Sequence, residues 1–132
     1  MVKTLIEYKG ELRCEIMHEP SGTKIVTDAP KDNHGKGESF SPTDLCATSL
    51  GSCMATTMGI YAARHNINLA GMRVEVTKEM AKDTPRRITK LITEIWMPVA
   101  QSAELERVAL GCPVHHSLHP DVEKPVMFHW KD

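Results

Sequence analysis

The sequence predicts an α+β fold organised as one domain, residues 1–132, and three observations lead to this prediction. The chain has 132 residues, of which 41% are hydrophobic and 25% charged, as in ordinary compact domains. Short β-prone runs, broken by glycine and proline, alternate with helical patterns. One helical pattern begins at Pro42 and continues for about 25 residues, which would extend about 37 Å.

The elements are predicted in the order βββ-α-ββ-αα-β. Turns at Lys9-Gly10 and Pro20–Gly22 separate three strands of a meander. A polar loop, 28–39, leads to the long helix, and Gly111 closes a later amphipathic helix. The predicted bounds are Lys3–Tyr8, Leu12–His18, Thr23–Thr27, Pro42–Asn66, Met72–Met80, Arg87–Met97, Gln101–Leu110, Cys112–His119 and Pro125–Trp130.

The long helix has a well-marked start and an uncharged middle. Ser41 can cap it, Pro42 suits the first helical position, and Asp44 stands three residues after Ser41 as in a capping box. No charged residue occurs between Leu45 and Ala63, so the helix should be surrounded by protein. Since one chain of this size can hardly enclose it, we expect a second subunit and therefore a homodimer.

Charge and hydropathy argue against several classes of partner. Sixteen basic and seventeen acidic side chains give a net charge of −1, without the basic excess typical of proteins that bind nucleic acid or anionic membranes. The uncharged stretch Leu45–Ala63 contains several serines, threonines and glycines and is too polar to prefer lipid. The N-terminus has no signal-peptide pattern, so we expect a cytoplasmic protein.

The four cysteines, at positions 14, 46, 53 and 112, form no CxxC pair, and we expect them to be reduced thiols. Cys46 and Cys53 lie seven positions apart on one helix, too far to bridge. Cys53 stands beside Gly51 and Ser52, which would let another backbone or a substrate approach its sulfur closely. The alternative is an inert buried cysteine, because free cysteine packs as a small hydrophobe.

Cys112 lies before Pro113, which places it at the N-cap of a short helix. Unpaired N–H groups and the helix dipole there favour a thiolate, and we expect a lowered pKa; the alternative is a chance cysteine after a capping glycine. Cys112 and three histidines would also line one helical face as metal ligands. The segment is short and matches no zinc spacing, so we predict neither metal nor cofactor; the histidines are His115, His116 and His119.

Three motifs are informative together: Ser41-Pro-Thr-Asp-Leu45, Leu50-Gly-Ser-Cys53 and Cys112-Pro-Val114. Their combination resembles the OsmC/Ohr family of osmotically inducible and organic-hydroperoxide-resistance proteins. The predicted element order is similar as well, and the resemblance covers nearly the whole chain. It implies an OsmC-like fold, with a long central buried helix wrapped by sheet, and an intertwined homodimer with two sites at the subunit interface.

The resemblance implies a thiol peroxidase that reduces organic or hydrogen peroxides in oxidative or osmotic stress defence. By position, Cys53 would be the peroxidatic cysteine and Cys112 the resolving one. Sulfenic acid on the first would condense with the second to a disulfide, which an external thiol, such as a lipoyl group or another dithiol, would reduce. Family sites also hold an arginine from the N-terminal strands that stabilises the thiolate, and Arg13 is the arginine in that region.

One position departs from the family pattern. Hydroperoxide-resistance members carry Pro-Glu, the glutamate pairing with the arginine, whereas this chain has Pro42-Thr43-Asp44. Asp44 either takes part in the site or, as its position favours, only caps its helix. Without that glutamate we expect the Arg13 guanidinium to have no paired carboxylate; Arg86 or Arg87 are the alternative partners of the thiolate.

A second class of function is a binding module without catalysis. An apolar, methionine-rich pocket at the dimer interface would then hold a small apolar ligand, and the cysteines would be incidental. Met54 and Met58, near Cys53, would suit either function, although a place in the core is the more common role of methionines at helical spacing.

Overall fold

The computed structural model describes residues 1–132 and confirms the α+β fold and the predicted order of elements. The chain forms two compact units, Met1–Cys46 and Ala47–Asp132. Each predicted strand and helix is present, and no end shifts by more than two residues. None of the helices is both long enough and apolar enough to span a membrane.

The first unit is built on an antiparallel sheet in the order β1-β2-β3. Its strands are Thr4–Gly10, Arg13–His18 and Lys24–Asp28. The second strand begins one residue later than predicted because Glu11 and Leu12 have positive φ angles of 54° and 64°, which end regular pairing at the turn. The polar loop that follows contains a short 3-10 turn, Lys31–Asn33, and leads to helix α1, Pro42–Arg64.

The second unit contains a sheet in the order β4-β5-β6 and two further helices. β4 and β5 form an antiparallel pair, whereas β6 lies parallel to β5. A parallel partner requires a crossover, and α2 and α3 occupy it. The bounds are β4 Arg73–Met80, β5 Ile88–Trp96, α2 Ala103–Leu110, α3 Pro113–Ser117 and β6 Val126–His129.

The core of the second unit lies between one face of α1 and the inner face of this sheet. The buried positions of α1 recur at helical spacing, and they meet apolar side chains from β5 and α2; the cluster includes Ala47, Leu50, Met54, Met58, Ala62, Leu91, Ile95, Leu105, Ala109 and Cys112. Gly51 lets the helix approach β4 closely, because a Cβ there would lie 2.7 Å from Val76 Cγ2. The glycine therefore serves helix–sheet packing.

The opposite face of α1 is exposed and carries no charge from Thr48 to Ala63. Exposed positions on it are Thr48, Ser52, Thr56, Ile60 and Ala63. The helix ends at Arg64, two residues earlier than predicted, and Asn66 beyond it takes a left-handed conformation at φ 55° that stops the helical pattern.

Candidate functional site

The structure brings the thiols of Cys53 and Cys112 together in the second unit. Cys53 projects from the middle of α1 and is half-buried, whereas Cys112 precedes α3 and is fully buried in the core. The two residues are 59 positions apart in sequence. Both are free thiols, and Cys53 acts directly on the ionisation of its neighbour. Cys112 belongs to the apolar core and Cys53 packs against it, and Thr57 Oγ1 lies 3.9 Å from Cys53 Sγ.

Cys112 is the N-cap of α3, as its position before Pro113 predicts. Its Sγ accepts a hydrogen bond from the His115 N–H at 3.4 Å. The predicted direction of its pKa shift is wrong, however. Burial raises the pKa of the Cys112 thiol, the nearby Cys53 adds to the rise, and the His115 N–H offsets only part of it.

Arg13 lies in the first unit, at the start of β2, and two carboxylates hold it. Its Nη2 donates to Glu38 Oε2 at 2.5 Å and lies 3.6 Å from Asp28 Oδ2. Chiefly through the Glu38 hydrogen bond, these carboxylates raise the pKa of the guanidinium above its ordinary value. The expectation that Arg13 has no paired carboxylate is therefore wrong, because acidic residues outside the family motif supply the charge.

Asp44 forms the capping box that its position favours. Its Oδ2 accepts from the Ser41 N–H at 2.9 Å, and its own N–H donates to Ser41 Oγ at 3.1 Å. Both hydrogen bonds satisfy groups at the start of α1 that lack helical partners.

The methionines, histidines and Arg87 singled out by the sequence form no further arrangement of catalytic or metal-binding groups. Met54 and Met58 are fully buried in the core. No group of three or more His, Cys, Asp or Glu side chains is arranged to hold a metal ion, so the spacing of His115, His116 and His119 does not form a ligand set. Arg87 donates to Asp83 Oδ1 at 2.8 Å in the loop that joins β4 to β5.

Sequence reasoning missed Asp28 and Glu38. A partial signal for the first was present, because reflecting β2 onto β3 about Ser21, the centre of the predicted turn, places Arg13 opposite Ala29, one residue beyond its observed partner Asp28. No comparable signal marks Glu38, one of several charged residues in an irregular loop.

A groove of about 330 Å³ lies between α1 and β4. It combines hydroxyl groups from the exposed side of the helix with apolar side chains from the strand; its lining is Thr48, Gly51, Ser52, Ala55, Met72, Val74 and Val76. Neither Cys53 nor Cys112 lines this groove, so it is separate from the thiol pair.

Comparison with known proteins agrees with the fold and the motifs. The model of the family described as OsmC-like protein matches residues 35–124. A Psychrobacter arcticus structure, provisionally described as an osmotic stress induced and detoxification response protein, is 45% identical with a TM-score of 0.90, over 98% of this chain and 96% of that one. No curated protein matches the sequence significantly.

More distant structures share the fold. The Legionella pneumophila organic hydroperoxide resistance protein OsmC is 12% identical at a TM-score of 0.76, covering 98% of this chain and 96% of that one. For the Bacillus subtilis organic hydroperoxide resistance protein OhrB the identity is 14% and the TM-score 0.70, with 97% of each chain covered. With a family model that matches most of its length, the chain belongs to the OsmC-like protein family.

Proposed function

We propose that this protein is a thiol-dependent peroxidase that reduces organic hydroperoxides in defence against peroxide stress. The observation that carries the proposal is the pair of free thiols, Cys53 and Cys112, held side by side in apolar surroundings although they are distant in sequence. The names of the Legionella and Bacillus structures, both organic hydroperoxide resistance proteins, support the same chemistry.

The half-buried thiol is the better first nucleophile, because a peroxide can reach Cys53 whereas Cys112 is fully covered. The Cys53 thiolate attacks one peroxide oxygen and breaks the O–O bond. Cys53 becomes a sulfenic acid, and the alkoxide that leaves takes up a proton to give the alcohol. An apolar setting suits a substrate with an organic chain more than it suits hydrogen peroxide.

The second step closes the disulfide. The Cys112 thiol attacks the sulfenic sulfur of Cys53, and the sulfenic hydroxyl leaves as water with the proton that the thiol gives up. Because burial raises the pKa of Cys112, this thiol stays protonated, and hence protected from direct oxidation, until the sulfenic acid forms beside it. Two electrons from an external dithiol return the pair to its reduced form.

The proposal includes a homodimer and a role for Arg13 at the reacting thiol. The uncharged, exposed face of α1 supports the dimer. For Arg13, the support is its position at the start of a strand in the N-terminal sheet, where the family resemblance places the arginine that stabilises the thiolate.

Thiol counting after peroxide treatment tests the function. Fully reduced protein should lose two of its four thiols per chain when cumene hydroperoxide is added, and peptide mapping should find Cys53 joined to Cys112. Cys112→Ser should consume one peroxide and stop at sulfenic acid on Cys53. The matched control is Cys14→Ser/Cys46→Ser, which should behave as the wild type; a bridge through Cys14 or Cys46 would contradict the assignment.

The binding-module alternative rests on the groove between α1 and β4, which offers a site away from the thiols. The same experiment separates the two functions. Retention of all four thiols under excess hydroperoxide would favour a binding module, whereas stoichiometric loss of two supports the peroxidase.

A further inference from the structure

Thr57 brings a hydroxyl group to the sulfur of Cys53 from the next turn of α1. The two residues are four positions apart, so their side chains lie on the same face of the helix. Helical side chains lean towards the N-terminus of their helix, which directs the Thr57 side chain over the turn that carries Cys53. The distance from Thr57 Oγ1 to Cys53 Sγ is 3.9 Å, within hydrogen-bonding reach of the large sulfur atom.

The Thr57 hydroxyl makes this contact in place of a more common one. A threonine hydroxyl inside a helix often donates to the carbonyl four residues earlier, which here belongs to Cys53. In the structure its hydrogen-bond partner is the Cys53 sulfur instead. Thr57 is half-buried, so water competes with the contact only in part. The hydroxyl is therefore directed at the thiol.

The ionisation state of Cys53 decides which atom donates. When Cys53 is a neutral thiol, either group can donate, and sulfur is weak in both roles. A thiolate carries no proton, so Thr57 must then be the donor. The hydrogen bond becomes charge-assisted and roughly twice as strong as one between neutral groups. The contact therefore favours the thiolate over the thiol.

A negative charge on Cys53 depends on hydrogen bonds of this kind. Cys53 packs against the apolar core, where a charge without polar partners is costly. Its polar contacts within the second unit are Thr57 and Cys112, and neither carries a positive charge. Burial is the chief cause of the raised pKa of Cys112, and the hydrogen bond to Cys53 adds to it. Cys112 thus keeps its proton and is a second donor to the Cys53 sulfur.

We propose that Thr57 is a catalytic residue of the peroxidase, whose hydroxyl donates a hydrogen bond to the reacting sulfur of Cys53 and stabilises it as the thiolate. The inference rests on the proposed function and adds one residue to its site. Thr57 keeps its own proton throughout. The sulfur attacks the peroxide with its own electron pair, and the proton that the leaving alkoxide takes up does not come from Thr57.

A titration of Cys53 as the only thiol tests the proposal. The parent protein is Cys14→Ser/Cys46→Ser/Cys112→Ser, and Thr57→Val keeps the shape of the side chain while it removes the hydroxyl. The ultraviolet absorbance of the thiolate, followed against pH, should have its midpoint about one pH unit higher in Thr57→Val. Below both midpoints, this shift means a roughly tenfold smaller fraction of thiolate. Thr57→Ser restores the hydroxyl and should restore the midpoint of the parent.

Thr56→Val is the matched control. It makes the same substitution one position earlier in α1, where the side chain is exposed and makes no hydrogen bond to Cys53, so the midpoint should equal that of the parent. Thr57→Ala also removes the hydroxyl and favours the helix, so it provides the same test if Thr57→Val does not fold. Its midpoint should rise as well.

The pH dependence of the reaction with cumene hydroperoxide distinguishes a lost hydrogen bond from a general disturbance of the site. A less stabilised thiolate is rarer but more nucleophilic, and in attack on disulfides its nucleophilicity changes about half as steeply as its basicity. By the same relation, Thr57→Val should form sulfenic acid about threefold more slowly than the parent below both midpoints. Above both midpoints it should react about threefold faster.

The outcomes separate the two proposals. An unchanged midpoint in Thr57→Val or Thr57→Ala, an equal shift in Thr56→Val, or a slower reaction at every pH would overturn the role of Thr57 while the peroxidase stands. A parent that does not react with hydroperoxide, together with a wild type that retains all four thiols, would reject the proposed function and the catalytic role of Thr57 with it.

Discussion

Among single residues, Cys112 has two features that oppose each other. As the N-cap of α3 its sulfur accepts one backbone hydrogen bond, which favours the thiolate. Its complete burial favours the neutral thiol, and burial prevails. This balance could not be read from the sequence, because the capping position follows from the Cys-Pro pair, whereas burial depends on packing against distant elements.

The raised pKa of Cys112 predicts a pH-dependent contribution to stability. The folded state holds the thiol proton to higher pH than the unfolded chain, so the free energy of unfolding falls as pH rises above about 9, through the folded pKa. For one proton, the free energy of unfolding falls by at most about 1.4 kcal/mol per pH unit. Reduced wild type and Cys112→Ala, compared in urea between pH 8 and pH 10, should show a stability difference that declines with pH. A constant difference would contradict the raised pKa.

Thr93 is a buried residue with an unmet group. It lies on the inner face of β5 with 1% exposure, and its Oγ1 has no hydrogen-bond partner. Thr93→Val keeps the shape and removes the hydroxyl, so it should stabilise the fold by about 1 kcal/mol. The control is Thr89→Val. The Thr89 hydroxyl donates to Glu79 O, so its removal should not stabilise the fold. A lower denaturant midpoint for Thr93→Val would show that the hydroxyl has a use in the fold.

On the scale of elements, α1 shows how a sequence pattern fixes a helix but not its packing. Ser41, Pro42 and Asp44 mark its start, and the structure confirms the capping box. Its small residues could have served a substrate, another backbone or a neighbouring strand. The structure assigns Gly51 to close approach with β4, a contact that no local pattern identifies.

Two glycines of α1 predict opposite effects of the same substitution. A Cβ at Gly51 would lie 2.7 Å from Val76 Cγ2 and 3.1 Å from Val74 Cγ1, so Gly51→Ala should destabilise by roughly 1–3 kcal/mol. A Cβ at Gly59 would meet nothing within 4 Å, and Gly59→Ala should stabilise by up to about 1 kcal/mol through helix propensity. Thermal unfolding of the two variants measures both. Equal shifts would mean that helix propensity alone governs these positions.

The elements themselves were largely predictable. Glycine and proline separate the strands, and β-branched residues fill them, so every predicted strand and helix is present. The candidate site was predictable only in part. The cysteines could be named from motifs, and Arg13 from what the family resemblance implies. Glu38, which pairs with Arg13, could not be named, because the path of an irregular loop depends on long-range hydrogen bonds such as Asp28 N–H to Phe40 O.

At the scale of the whole molecule, the exposed apolar side chains indicate a surface that another subunit covers. Several large apolar side chains are exposed on the strands of the first unit, and Ile60 is 54% exposed on the uncharged face of α1. Surface of this kind is typical of proteins that bury it against a partner. The exposed apolar residues of the first unit's strands are Leu5, Ile6, Tyr8, Ile25 and Val26.

We expect a homodimer, and we expect one charged side chain introduced on α1 to dissociate it. Sedimentation at micromolar concentration should give twice the chain mass of 14.7 kDa. Ile60→Lys would place a charge on the uncharged face and should shift the protein to monomer. Met127→Lys, at an equally exposed position on β6, should remain dimeric. A wild type that sediments as a monomer would rule the dimer out.

The parallel pairing of β5 and β6 has a consequence for the chain as the ribosome makes it. The crossover that carries Cys112 can close only after the last strand has been synthesised, because Thr93 pairs with Val126 near the C-terminal end. Cys53 leaves the ribosome long before then. A nascent chain therefore exposes Cys53 without its neighbour, and a Cys53 oxidised at that stage has no Cys112 in place with which to form the proposed disulfide.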